Sequence, residues 1–149
     1  MSLSNEEVAA MRRDYSKRQL SEDEVHINPI KQFEAWFEEA VEQKLPEPNA
    51  FTLSTASADG QPHSRVVLLK HYDERGLVFY TNYESDKAKQ LEANPSVAVN
   101  FLWLELERQI RIEGVVEKIS KSDSLAYFLS RPKGSQIGAW VSPQSSIIS

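Results

Sequence analysis

Between Asn28 and Lys44, apolar residues recur at Ile30, Phe33, Phe37 and Val41, the spacing that places them on one face of a helix. Asn28 supplies an N-cap and Pro29 a first-turn residue whose missing N–H costs nothing there, so the pattern predicts a helix over 29–44 packed on a sheet. After the break LPEPN the period changes to two. Phe51, Leu53 and Thr55 alternate with Thr52, Ser54 and Ala56, and Asp59-Gly60 then marks a hairpin turn. The next strand, 63–72, carries Val66-Val67-Leu68-Leu69 without interruption, which predicts burial on both faces. Asp73 to Gly76 turn the chain into a third strand over 77–82.

Toward the N-terminus, Ser4 and Glu7 match a capping box, predicting a peripheral helix over 5–17. Ser85 caps a short helix through Ala93, stopped by Asn94-Pro95. Strands resume over 97–104 and 109–119, and Gly114 inside the last of them suggests a bulge or a close backbone approach. Ser122 caps a final helix through Phe128, which Pro132 ends or kinks. Five strands in antiparallel succession, with short helices outside, predict a mainly β fold with flanking helices and favour a small barrel over a doubly wound sheet.

The chain has 149 residues and is 40% hydrophobic, the size of a single domain (1–149) able to bury an ordinary core. It contains no cysteine, which removes disulfides, thiolate nucleophiles and iron–sulfur ligation, fits a reducing cytoplasmic compartment, and leaves any redox chemistry to a bound cofactor. Acidic residues near the start argue against a secretory leader, and no stretch reaches membrane-spanning length. A net charge of −5 argues against general nucleic-acid binding, so an anion site here is a local pocket. Five glycines form no dinucleotide fingerprint, P-loop or nucleophile elbow. His26, His63 and His71 lack metal-ligand spacing, and no metal is expected.

Two groups of residues carry candidate chemistry. Arg65 and Lys70 bracket the apolar run of the second strand, and a separation of five places them on opposite faces unless a bulge intervenes. Spacing alone favours two cations reaching solvent at strand ends over an anion site. Tyr127, Arg131 and Ser135 recur every fourth residue, aligning a phenol, a guanidinium and a hydroxyl, all phosphate-type donors. A solvated helix end with Arg131 answering the dipole accounts for that spacing equally well.

The strings RVVLLKHYDERGLVFYTNYESDKAKQLEANP, LERQIRIEG and YFLSRPKGSQIGAWVSPQSS, with MRRDY before them, resemble the pyridoxamine 5′-phosphate oxidase family in order and spacing over essentially the whole chain. The resemblance implies an FMN-binding split β-barrel of antiparallel Greek-key type, a homodimer with FMN at the subunit interface. It implies FMN contacts at Arg65, Val66, Val67, Leu68, Leu69, Lys70, Tyr80, Thr81, Lys87, Gln109, Gln144 and Ser145. Lys70, Tyr127, Arg131 and Ser135 match the positions that clasp the substrate phosphate, and Arg12 and Tyr15 match a mobile N-terminal lid within residues 1–20. The implied reaction is oxidation of pyridoxamine or pyridoxine 5′-phosphate to pyridoxal 5′-phosphate by molecular oxygen, with hydrogen peroxide as the second product. No residue is singled out as a catalytic acid or base, because positioning two stacked rings supplies much of the rate.

The chain departs from the family's pattern twice. Asp86 stands where the family commonly has an Arg that meets the flavin phosphate, so it either points away from that site or weakens it. The sequence given stops at SSIIS, where the family continues with a Trp and an Arg-x-His motif that complete both sites. A non-catalytic module that binds FMN or pyridoxal phosphate is therefore the alternative expectation.

Overall fold

The computed structural model describes residues 2–16, 19–81 and 85–119. Their elements run α1 (Asn5–Ala9), α2 (Pro29–Glu42), β1 (Ala50–Ala56), β2 (Pro62–Asp73), β3 (Gly76–Phe79), α3 (Asp86–Ala93), β4 (Ser96–Trp103) and β5 (Arg108–Val115). A 3-10 turn, Leu104–Leu106, joins the last two strands.

All four strand pairings are antiparallel, in the order β3-β2-β1-β4-β5. Three hairpin-connected strands with the fourth returning beside the first make a Greek key, as expected. The Ser57–Gln61 turn joins β1 to β2, with Gly60 at φ 90° and the Ser57 N–H bonded to the Gln61 carbonyl at 2.9 Å. At the next turn Asp73 accepts from the Arg75 backbone and guanidinium, which holds its carboxyl at about 2.

The period of two sorts the sheet into a covered and an open face. Phe51, Leu53 and Thr55 of β1, Leu69 of β2, and Phe101 and Trp103 of β4 are buried on one side. α2 lies over them: Phe33 stands 5.2 Å from Phe101, 5.4 Å from Tyr72 and 5.6 Å from Phe37, ring centre to ring centre. Arg108 ties α2 to β5, pairing with Glu39 at 2.6 Å and lying over the Trp36 ring at 4.6 Å.

Several expectations need correction. The first helix closes at Ala9 rather than near Lys17; it buries nothing, and a helix with no packed face rarely propagates. On α2 the stripe is Phe33, Phe37 and Ala40, while Val41 is 52% exposed, as it stands about 100° round the helix from buried Ala40. The run Val66–Leu69 alternates instead of being buried throughout: Val66 is 67% exposed on the open face and Leu69 only 5% on the covered one. Gly114 sits in unbroken register opposite Val97 with open space where a Cβ would be, so it marks neither a bulge nor a close approach. β3 ends at Phe79 and β5 at Val115, both short of expectation.

Candidate functional site: a buried cationic cradle beneath α3

Among the described residues, the buried polar side chains are Thr55, Ser85 and Lys87, and all three lie at one place on the covered face. Their elements explain the meeting. β3 is an edge strand and β4 pairs with β1 on the far side of β2, so the chain between them must cross the sheet, and α3 is that crossing. Ser85 caps α3 by accepting from the Ala88 N–H at 3.2 Å and shares a hydrogen bond with Thr81 Oγ1 at 3.0 Å. Lys87 and Gln90, three apart, then face the same way from the helix.

Beneath them Arg65 of β2 is held by partners on β1 and α3. Its Nη1 donates to the Thr55 hydroxyl at 2.7 Å and to the Leu53 carbonyl at 3.1 Å, and its Nη2 donates to Gln90 Oε1 at 2.8 Å. Thr55 Oγ1 also donates to Gln90 Oε1 at 2.7 Å, closing the ring. These acceptors are neutral. Burial pulls the Arg65 guanidinium below its ordinary value, and Lys87, 5% exposed, is lowered by burial and then by the neighbouring Arg65 charge.

Two adjacent, partly desolvated cations concentrate positive charge at one place, and the hydrogen-bond acceptors around Arg65 are neutral. The N-terminus of α3 adds positive potential from its unpaired N–H groups. Asp86 is exposed in the first turn of α3 and makes none of the hydrogen bonds to Arg65. The donor set is suited to a phosphate group, so the phosphate arm of FMN fits the residues present.

The other expected contacts divide by face. Val67 and Leu69 share the covered side with Arg65, whereas Val66, Leu68 and Lys70 lie on the exposed side, as does Gln109 of β5. Gln109 Oε1 accepts from Asn100 Nδ2 at 3.4 Å. The register of β2 against β3 shifts between Leu69 and His71, a bulge at Lys70 that re-aims this residue. Lys70 lines a cavity of about 400 Å³ with Phe37, Val41, Asn49 and Tyr72, apart from the Arg65 cradle. Tyr80 and Thr81 are half-buried between β3 and α3.

In the N-terminal segment Arg12 is exposed and Tyr15 is 74% exposed. Their neighbours are tethered: Arg13 Nη2 and the Ser16 N–H both donate to Glu107, at 3.1 and 2.9 Å. Glu107 adopts φ 53° at the β4–β5 turn. Tyr127, Arg131, Ser135, Gln144 and Ser145 lie outside the described residues, as does the helix expected from Ser122.

Sequence reasoning missed Thr55, Gln90 and Glu107. Thr55 carried a usable signal, since a hydroxyl on the buried phase of a strand requires a partner. Gln90 shares a helical face with Lys87, which is detectable once Lys87 is suspected. Glu107 had none, because its role depends on a turn conformation.

Comparison with known proteins places these features in a family. The family model described as pyridoxamine 5′-phosphate oxidase matches residues 37–149. The pyridoxine/pyridoxamine 5′-phosphate oxidase of Crocosphaera subtropica is 57% identical over 143 residues, covering 96% of this chain and 67% of that protein. That of Aliarcobacter butzleri is 58% identical over 139 residues, covering 93% of this chain and 66% of its own length. The chain thus spans about two thirds of the length of these relatives.

Among solved structures, PhzG from Burkholderia lata, in complex with tetrahydrophenazine-1-carboxylic acid, superposes with a TM-score of 0.84 at 27% identity, over 89% of this chain and 66% of that one. A pyridoxamine 5′-phosphate oxidase-related, FMN-binding protein from Nostoc punctiforme gives 0.67 at 16% identity, over 83% and 69%, a likeness of fold alone. With its antiparallel half-barrel and its match over most of its length, the chain belongs to the pyridoxamine 5′-phosphate oxidase family of oxidoreductases.

Proposed function

We propose that this chain is the FMN-binding part of an oxidase that converts pyridoxamine or pyridoxine 5′-phosphate to pyridoxal 5′-phosphate. Molecular oxygen is the acceptor and hydrogen peroxide a product; with the amine substrate, water is consumed and ammonia released as the imine is hydrolysed to the aldehyde. The observation that carries the reading is the placing of buried Lys87 beside Arg65 under the first turn of α3, a local concentration of positive charge that suits a phosphate monoester. Each charge-assisted hydrogen bond formed there contributes about 1.5–3 kcal/mol.

Arg65 and Lys87 hold the FMN phosphate, with Thr81 and the α3 N-terminus beside them. Val66, Leu68, Tyr80 and Gln109 meet the rest of the cofactor, together with Gln144 and Ser145. FMN bound there would supply the two-electron acceptor chemistry for oxidation at the substrate's 4′ carbon with oxygen as the final acceptor. Lys70, Tyr127, Arg131 and Ser135 hold the substrate phosphate. Binding energy at that remote group aligns the reacting carbon. Arg12 and Tyr15 close over the substrate from a segment that Glu107 anchors.

The open face supports a homodimer, because Val66, Leu68 and Leu102 are apolar there and are 67%, 36% and 57% exposed in the single chain. A cytoplasmic address agrees with the absence of cysteine. Among the described residues no helix is long and apolar enough to cross a membrane.

The test is a titration of the colourless protein with FMN, followed by an assay for peroxide on addition of pyridoxamine 5′-phosphate. Saturable binding with peroxide release supports the proposal. Failure to bind FMN more tightly than riboflavin, which lacks the phosphate, refutes it.

A further inference from the structure

The Arg65 guanidinium offers five N–H donors, and the pattern of their use is informative. Nη1 faces two acceptors, Thr55 Oγ1 and the Leu53 carbonyl, and Nη2 faces Gln90 Oε1. Thr55 Oγ1 and Gln90 Oε1 are themselves 2.7 Å apart and hydrogen-bonded, so they present one continuous acceptor edge to one side of the guanidinium plane. The opposite edge, Nε–H with the adjacent Nη2–H, is the planar fork that matches two oxygens of a phosphate.

An arginine side chain has four rotatable bonds and ordinarily loses much rotamer freedom when it binds an anion. Here that freedom is removed beforehand by groups on two other elements, β1 and α3. We propose that Thr55 and Gln90 are positioning residues that orient Arg65 so that its remaining edge receives the phosphate of FMN. Both are neutral, and neutrality matters: a carboxylate at either position would satisfy Arg65 outright and compete with the ligand. A neutral bracket fixes direction while leaving the charge unspent. The inference rests on the proposed FMN reading of this cradle.

Measurement of FMN and riboflavin binding side by side, by quenching of flavin fluorescence, tests it. The unmodified protein must prefer FMN; equal binding overturns the cradle itself and this inference with it, before any variant is made. Given that preference, Thr55→Val and Gln90→Leu each weaken FMN by about 10- to 100-fold, the loss of one well-aligned charge-assisted bond, and change riboflavin less than about twofold. Thr55→Ser keeps the hydroxyl and restores FMN affinity. Equal losses for both flavins would mean that the two residues only support the fold, and FMN affinity unchanged in both variants would mean that Arg65 needs no bracket.

Gln90→Glu provides a second reading that does not depend on surviving a cavity or a lost bond. It places a negative charge against Arg65 and beside Lys87, so the melting temperature of the ligand-free protein rises while FMN affinity falls by at least about tenfold. A purely structural role predicts that the two quantities move together, and that result would overturn the proposal.

Discussion

The two ends of the covered sheet face are built on opposed principles. Under α2, Phe33, Phe101 and Trp103 form an aromatic cluster in which burial removes apolar surface from water. Under α3, Thr55, Ser85 and Lys87 are buried as deeply, yet they lie beside a guanidinium whose acceptors, among the described residues, are neutral. One end stabilises the fold, and the other spends part of that stability on holding a charged site ready.

Phe101→Ala tests the first end and has the largest expected effect. Phe101 is fully buried, so its truncation costs about 3–5 kcal/mol in urea unfolding through lost transfer energy and a residual cavity. At the second end, Lys87→Met gives the opposite signature: ligand-free stability is unchanged or higher, while FMN affinity drops by about 10- to 100-fold in the same fluorescence titration. A substantial loss of ligand-free stability in Lys87→Met would erase the contrast.

A pH series sharpens it further. Lys87 is lowered from the usual lysine value, so in the window just below that value the unfolded chain binds more protons than the folded one. Ligand-free stability therefore gains a contribution as pH rises toward the ordinary lysine value, and the melting curve of Lys87→Met lacks this contribution. Phosphate-bearing ligand favours the charged amine and reduces the slope. A slope identical in wild type and variant would show that Lys87 is not the group responsible.

The smallest effect is expected away from both ends. Glu107→Gln removes an ion pair whose Arg13 partner is 64% exposed, so global stability changes by less than about 1 kcal/mol. Its signature is local: tryptic cleavage after Arg12 and Arg13 becomes several-fold faster, as expected when a tether is released. Unchanged cleavage would argue that Glu107 does not hold the segment.

The strands and α2 were legible in the sequence because each carries a local signal. Alternation marks β1, Asn28-Pro29 opens α2, and Ser85 opens α3. Burial was legible only where one face is enclosed by this chain. Val66 and Leu68 read as buried because apolar residues do not announce which surface covers them, and Gly114 suggested a distortion that the regular β4–β5 register does not contain. The cradle was half legible. Arg65 and Lys87 came from family resemblance, whereas Thr55 and Gln90 became visible only when the topology brought β1 under α3. A hydrogen bond between residues 35 positions apart leaves no periodic trace.

That topology also bears on the order in which the molecule assembles. The β1–β2 and β4–β5 hairpins involve neighbours in sequence and close rapidly, but joining β1 to β4 requires the long connection through β3 and α3 to settle across the sheet. Arg65 meets Gln90 only when this slow, non-local step is finished. Flavin capture is thus a reporter of completed folding: in a refolding experiment fluorescence quenching should trail the recovery of strand circular dichroism, and a chain caught with its two hairpins unjoined would have secondary structure but no place for a phosphate.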